Sequence, residues 1–582
     1  MKSFKFIFII IFVLNCSLIF AQKKPNVILI LTDDQGWGDL SLHGNPWLET
    51  PNLDKLAKTG GRFNNCYVTP LCAPSRASIL TGRNHLKTGV ISVSRGLEIM
   101  NTEENTLAEM FKSNGYKTGI FGKWHNGEHF PHRPNDQGFD EFLGFYGGYL
   151  PNYFNSTLDH NTKRLKTQGY IADVLTDAAS KFISTNKEKP FFCYIPYNTP
   201  HAPHQVPDKY YEKYKAKNLE SELATIYGMV ENIDDNVGRI LKTLKDNKLE
   251  ENTIIIFMTD NGPNSIRFNG EMRGIKGSLH EGGIRVPFFV NWKNHIAENK
   301  IIQTPVAHID IYPTLKDLCQ LKDNAKKPIE GVSLSSLLFQ DKDTLMVDRK
   351  IFTHVNFMNL PLTANLGGFR SDKHRFIYEN NKPQLYDLKK DPTEKNDISQ
   401  QNSTLTNQYL QEYNQWFTES TLDLKVNKPT LITKLGVELP VFESTYTSGI
   451  KLKEGHGWSY DWVEKWNSTK DSLIWEIDCQ TPGNYIVEME YLCKKPDVGS
   501  RIACSIGDVK KEVILKTDFY SNQVPSPDRV KRKEVYEMSE WGILKLGSFK
   551  ITMGKQLVKL KALSLANLNV AEVKGLKIRF EK

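Results

Sequence analysis

Val27-Ile28-Leu29-Ile30-Leu31-Thr32-Asp33-Asp34-Gln35-Gly36 is the stretch that decides the fold. Five aliphatic residues in a row suit a strand covered on both faces, because successive side chains point to opposite sides of a sheet. The run then switches abruptly to acidic and polar residues. Ile254-Ile255-Ile256-Phe257-Met258 repeats the pattern and ends in Thr259-Asp260-Asn261-Gly262. Two shorter strands are expected at 117–121, ending in Gly122-Lys123-Trp124-His125, and at 191–195, ending in Asn198-Thr199-Pro200-His201. Leu223 to Leu244 has helical periodicity, with Met229, Ile233, Val237, Ile240, Leu241 and Leu244 on one broad face. Strands alternating with helices over 22–320 predict an α/β core, a mostly parallel sheet flanked by helices on both faces.

In such sheets ligands bind beyond the carboxyl ends of the strands. The four polar groups therefore converge on one rim if their strands are parallel. Asp33, Asp34, Asp260 and Asn261 form an all-oxygen set suited to a hard cation, Ca²⁺ rather than Mg²⁺. The plainer alternative is that these residues cap turns and helices. Cys72-Ala73-Pro74-Ser75-Arg76, followed by Leu80-Thr81-Gly82-Arg83, reads as the start of a helix with Pro74 in its first turn. A cysteine there is either a thiolate nucleophile or a buried structural thiol, and spacing leaves the two open.

The rest of the chain bounds the reading. The 582 residues allow several domains, and 39% hydrophobic with 24% charged residues excludes a disordered chain. A net charge of +8 suits a polyanionic substrate but is too slight and too spread out for nucleic-acid binding. Residues 1–21 resemble an export signal, with Lys2 and Lys5, an apolar run from Phe6 to Val13, and Ala21 as cleavage point. The protein is therefore expected in the periplasm or outside the cell. Cys16 offers lipid attachment as the alternative, and no stretch is long enough for a transmembrane segment. Seven of the eight cysteines follow Cys16, an odd number that leaves one unpaired or modified. Residues 321–430 form a smaller subdomain, and 421–445 looks like a connector. From 446 to 582 the period becomes two, as in Tyr485, Val487, Met489 and Tyr491, which predicts an accessory β-sandwich. Its Trp458, Tyr460, Trp462 and Trp466 form either a sugar-stacking face or core.

Cys72 to Arg76 with Leu80 to Arg83 resembles the signature of the formylglycine-dependent sulfatases of the alkaline phosphatase superfamily. Further blocks resemble that family in order: Pro25 to Gly36, His43 to Pro46, Thr50 to Asp54, Gly122 to His125, Asp260 to Gly262, Lys276-Gly277, Glu281 to Pro287, His308 to Leu315, and Leu385 to Leu388 with Asp391-Pro392. The resemblance implies that a maturation enzyme oxidises Cys72 to formylglycine, whose hydrated aldehyde is the nucleophile. It implies Ca²⁺ held by Asp33, Asp34, Asp260 and Asn261 beside residue 72. It also implies that Arg76 and Lys123 fix the modified side chain and that His125 takes its proton. Lys276 and His201 would hold sulfate, one of them protonating the leaving oxygen, with His204 a second candidate in the same block.

The implied substrate is a sulfated glycan, most simply a polysaccharide or its oligosaccharides. Arg133, His204, Arg267 and His280 are expected as its contacts, with His132 and Asn152 nearby. Two other readings compete: a phosphatase or phosphodiesterase of the same superfamily, and a non-catalytic glycan-binding protein with a decayed site. The Cys-x-Pro-Ser-Arg motif and the oxygen-only ligand set oppose the first. The presence of Cys72, Arg76, Lys123, His125 and Lys276 together opposes the second.

Overall fold

A computed structural model describes residues 24–340, 348–426, 428–455 and 457–581. The export signal expected at 1–21, with Cys16, lies outside them. The core is an eleven-stranded sheet built from β1 (Asn26–Asp33), β2 (Gly61–Tyr67), β3 (Lys117–Lys123), β4 (Glu141–Phe145), β5 (Thr157–His160), β6 (Lys163–Lys166), β7 (Phe191–Pro200), β8 (Thr253–Thr259), β9 (Arg285–Trp292), β10 (Lys300–Ile302) and β11 (Val306–Ala307). Its order is β10-β2-β9-β8-β1-β7-β3-β4-β5-β6, with β11 beside β2. The five strands β8-β1-β7-β3-β4 are parallel, and antiparallel pairing is confined to the flanks. The four strands whose ends carry the polar groups are thus central and point the same way.

β1 is buried along its whole length because it serves two cores. Val27, Leu29 and Leu31 face one core with Phe111, Phe192 and Tyr312. Ile28 and Ile30 face the other with Leu175, Met229, Ile233 and Val237. Helices Cys72–Thr81 and Leu107–Ser113 cover the first face; Ile171–Thr185 and Ser221–Asp246 cover the second. Each fully buried Leu or Ile stabilises the fold by about 1.5–3 kcal/mol, so the apolar run anchors both layers.

A four-stranded antiparallel sheet at 351–387 packs on helix Ser403–Thr421 through Phe369, Phe376, Tyr409 and Tyr413. Beyond it, two six-stranded sheets enclose one core, with Tyr485, Val487 and Met489 fully buried. This unit starts before 446. Thr430–Ile432 pairs with Ser472–Cys479, and Val437–Pro440 pairs with Glu572–Phe580. The connector expected at 421–445 is therefore partly sheet, in strands too short to show alternation. Trp462 and Trp466 are 5% and 0% exposed, so they build core and not a stacking face. All seven described cysteines are buried and none forms a disulfide. The odd count therefore says nothing about Cys72.

Gly122 sits in β3 at φ +144°, and a Cβ there would lie 2.0 Å from the Pro196 carbonyl oxygen of β7. Gly122→Ala is expected to lower stability by about 2–4 kcal/mol, read as a fall in Tm. An unchanged Tm would contradict this packing.

Candidate active site

The parallel strands deliver the polar residues to one rim. Asp33 closes β1, and Asp34 follows in the left-handed region at φ 64°. Lys123 closes β3, and His125 sits two residues on at φ 63°. His201 follows β7; Asp260 and Asn261 follow β8. Two non-glycine residues at positive φ in one site mark backbone strain held by the surroundings. Cys72 opens helix Cys72–Thr81, and Arg76 lies one turn later. Lys276 comes from the loop between β8 and β9, seated by Lys276 N–H to Pro263 O at 2.8 Å and Gly277 N–H to Pro70 O at 2.9 Å.

The charges interlock. Lys123 Nζ lies 2.6 Å from Asp33 Oδ2. Arg76 donates through Nε and Nη2 to Asp260 Oδ2, at 3.0 and 2.8 Å, and through Nη1 to the Lys123 carbonyl oxygen at 3.0 Å. Lys276 Nζ is 2.6 Å from Asp34 Oδ1, and His201 Nε2 is 3.7 Å from Asp34 Oδ2. Arg76 and Lys123 are fully buried, while Lys276 and His201 each keep 19% of their side chains exposed. The site therefore opens on the Lys276–His201 side.

Burial pushes the Asp33 and Asp34 carboxyls up, but Lys123 at Asp33 and Lys276 at Asp34 lead the charges that hold both below the usual range. Burial and Asp33 push Asp260 up to about 7 against the pull of Arg76. Asp260 is thus the carboxylate with most to gain from a further cation. Burial also raises the Cys72 thiol, against Lys123 and Lys276, so the unmodified side chain is a protonated, weak nucleophile. His125 Nε2 donates to Val93 O at 2.8 Å, since a carbonyl only accepts. Its Nδ1 then carries the lone pair, buried and without a hydrogen-bond partner. Burial, with Lys123 and Arg76, holds this imidazole neutral.

Three buried oxygens here also accept no hydrogen bond: Asp33 Oδ1, Asp34 Oδ2 and Asn261 Oδ1. Asn261 turns its Nδ2 to Asp34 Oδ1 (2.8 Å) and Gly262 O (2.9 Å), leaving Oδ1 free. Ligand atoms of Asp33, Cys72 and Asp260 lie within 4.8 Å of one another, as do those of Asp33, Asp34 and His201. Orphaned oxygens on a carboxylate-rich set fit a hard divalent cation.

The outlying contacts expected from the sequence fare differently. Arg267 is a correction: its guanidinium is fully buried, bonded to Asp39 at 2.7 Å and to the Asp34 carbonyl oxygen at 2.8 Å. It clamps the strained Asp34 turn and offers nothing to substrate. His280 is a second correction, since Nδ1 is bonded to Glu394 at 2.7 Å and the ring is buried. Arg133 pairs with Asp136 and lines a separate cleft of about 420 Å³ with Glu128, Arg164 and Lys577, away from the Asp33–Asp34 cluster. His204 stays beside the His201 segment, where burial lowers it to about 4. His132 Nδ1 donates to Met100 O at 2.8 Å and its carbonyl oxygen accepts from Trp124 Nε1–H at 2.9 Å, while Asn152 Oδ1 accepts from Phe154 N–H at 3.2 Å.

The sequence reading missed the supports. Asn126 Nδ2 donates to Ala73 O at 3.1 Å, tying the His125 turn to the Cys72 helix. Ser94, next to Val93, donates to Gly457 O at 2.7 Å, and Gly148, whose added Cβ would strike the His125 ring, donates to Ser459 Oγ at 3.2 Å. Both backbone neighbours of His125 are thus braced by a loop more than 300 residues away in sequence. No local pattern carries that signal.

Comparison with known proteins agrees with this geometry. The sulfatase family profile matches residues 25–321, and the profile of the N-sulphoglucosamine sulphohydrolase C-terminal region matches 275–416. Mouse N-acetylgalactosamine-6-sulfatase is 32% identical over 388 residues, 60% of this chain and 72% of its own length. The N-acetylgalactosamine-6-O-sulfatase of Bacteroides thetaiotaomicron is 31% identical over 65% of this chain and 90% of its own length. The crystal structure of Ps i-CgsB in complex with k-i-k-neocarrahexaose superposes with a TM-score of 0.64 and 31% identity, covering 69% of this chain and 94% of that one. The chain belongs to the sulfatase family and is a sulfuric ester hydrolase. The sheets beyond residue 416 lie outside both family profiles.

Arg267→Met would leave Asp39 buried without its ion pair and is expected to cost about 3–5 kcal/mol. Any loss of activity should then be the same on every sulfate ester. A raised KM with unchanged Tm would restore the substrate-binding role.

Proposed function

We propose that this enzyme removes sulfate from a carbohydrate, a sulfated polysaccharide or oligosaccharides from it, using Cys72 matured to formylglycine and one Ca²⁺ ion. The observation that carries the chemistry is the set of unpartnered buried oxygens of Asp33, Asp34 and Asn261 around residue 72. The substrate class rests on the relatives: two are named for N-acetylgalactosamine-6-sulfate chemistry, and a third is complexed with k-i-k-neocarrahexaose. A polymeric substrate also fits the export expected from residues 1–21.

Formylglycine supplies a hydrated aldehyde hydroxyl as nucleophile, made by a maturation enzyme that acts on the Cys72 motif. Asp33, Asp34, Asp260 and Asn261 would hold the Ca²⁺ ion, which would supply positive charge for a bound sulfate ester. Arg76 and Lys123 lock the carboxylates in place and add charge at the buried end. His125 Nδ1, neutral and unpartnered, is the group that would take a proton from a hydroxyl on matured residue 72. Lys276 and His201, on the open side, bind the sulfate group and are the two donors that reach the ester oxygen; His204 stands behind them. Charge that grows on sulfuryl oxygens during attack meets these fixed cations without rearrangement.

The test pairs peptide mass with activity, in cells that mature a known sulfatase. The Cys72 peptide should be lighter by one sulfur and two hydrogens and heavier by one oxygen, and the protein should release sulfate from glycans. His125→Ala should lower kcat by about 10²–10⁴-fold, measured below the variant's own Tm because the change also empties a buried, hydrogen-bonded site. Sulfate release from protein whose Cys72 is still a thiol would refute the mechanism.

A further inference from the structure

A hollow of about 700 Å³ lies between the core and the C-terminal sheets, lined by Asn152, Phe154 and Lys166 on one side and by Pro525, Pro527 and Arg529 on the other. We infer that this hollow is a binding subsite for an anionic sugar unit of a substrate that extends beyond the sulfated residue. The inference rests on the carbohydrate reading above and specifies it: the preferred substrate is an oligosaccharide or polymer, not a single sugar.

The hollow adjoins the segment that carries His201. Tyr153, between the lining residues Asn152 and Phe154, donates its hydroxyl proton to Ala202 O at 2.7 Å, with His201 O 3.0 Å away. From the opposite wall, Arg529 N–H donates to His204 O at 3.4 Å. Val206 and Pro207, which continue the His201 segment, line the hollow, so an extended chain with its sulfate held at His201 would have this cavity as its neighbouring subsite.

The lining suits an anionic sugar. Phe154 is half-buried and offers a ring face, while the amides of Asn152 and Asn155 offer donors and acceptors. Lys166 is exposed. Arg529 pairs with Asp208 and lies 4.6 Å over the Tyr211 ring, which fixes its plane, yet its buried Nε has no hydrogen-bond partner. Asp208 also lines the hollow and takes part of the Arg529 charge, so the exposed Lys166 is the cation best placed there for a carboxylate or a second sulfate, with Arg529 beside it. A neighbouring hollow of about 540 Å³ shares Val524, Pro525 and Arg529 and adds Asp528, Lys531 and Tyr536, so charged and aromatic surface continues along the same loop.

The walls are fixed to one another before any ligand arrives. Gln205 Nε2 donates to Asp528 Oδ1 at 2.8 Å and to Ser526 Oγ. Arg532 bonds the Pro151 carbonyl oxygen and, through Nε, Asp528 Oδ2 at 2.8 Å. Tyr149 OH donates to Val535 O at 3.0 Å. A preformed cavity avoids the ordering cost that a tethered module would bear on binding.

The experiment uses the full chain and two hexasaccharide probes: k-i-k-neocarrahexaose, and a glucuronate-containing one bearing N-acetylgalactosamine 6-sulfate. Binding is measured calorimetrically on Cys72→Ala protein, which binds without turnover. At least one probe should bind, and adding Lys166→Ala with Arg529→Ala should weaken its Kd by about tenfold or more. The same two changes in otherwise unaltered, matured protein should leave hydrolysis of 4-methylumbelliferyl sulfate unchanged. Should the Arg529 change unfold the chain, Lys166→Ala alone, at an exposed position, should still weaken binding by about threefold. Failure of both probes to bind, or binding untouched by the changes, overturns the subsite. Probe binding that responds to the changes in a protein that releases no sulfate from any ester would instead overturn the catalytic reading and leave the subsite standing.

Discussion

Three carboxylates buried at one end of a sheet would be untenable without partners, and the rest of the structure is arranged to supply them. Asp33, Asp34 and Asp260 face Lys123, Lys276 and Arg76, each cation from a different segment. The formal charges cancel, yet Asp33 Oδ1, Asp34 Oδ2 and Asn261 Oδ1 still point inward without hydrogen bonds. A divalent cation among them would turn a neutral, water-poor cluster into a positive one. On the proposed reading, that excess charge is what draws a sulfate ester to residue 72. The cluster exists only because β1, β3, β7 and β8 run parallel and end together.

This explains what the sequence made legible. Apolar runs that serve two cores read as central strands, and the residues that end them read as rim residues. Asp33, Asp34, Lys123, His201, Asp260 and Asn261 were placed by that logic alone. Cys72 was ambiguous from spacing, and the family resemblance gave it a role. Arg267 and His280 misled because a basic residue near a site looks the same in sequence whether it meets substrate or a buried carboxylate. Their partners, Asp39 and Glu394, lie 228 and 114 residues away. The strands at 430–432 and 437–440 were too short to show a period.

The C-terminal sheets are the part least legible in advance. Their inward Trp462 and Trp466 belong to core, while Tyr460 lines the cleft that also holds Arg133 and Arg164. What the sheets contribute comes from two loops. Gly457 and Ser459 brace the backbone that holds His125, and residues 524–535 bond the segment that carries His201. The unit is built into the rim of the site through these two loops.

On the proposed reading the oxygen cluster is a preformed calcium site. Calorimetric titration of chelator-treated protein with CaCl₂ tests it most directly. One ion is expected to bind per chain, with Mg²⁺ bound more weakly, a rise in Tm on Ca²⁺ addition, and loss of the binding heat in Asp33→Ala. Absence of Ca²⁺ binding in correctly folded protein, or binding that survives Asp33→Ala unchanged, would contradict it.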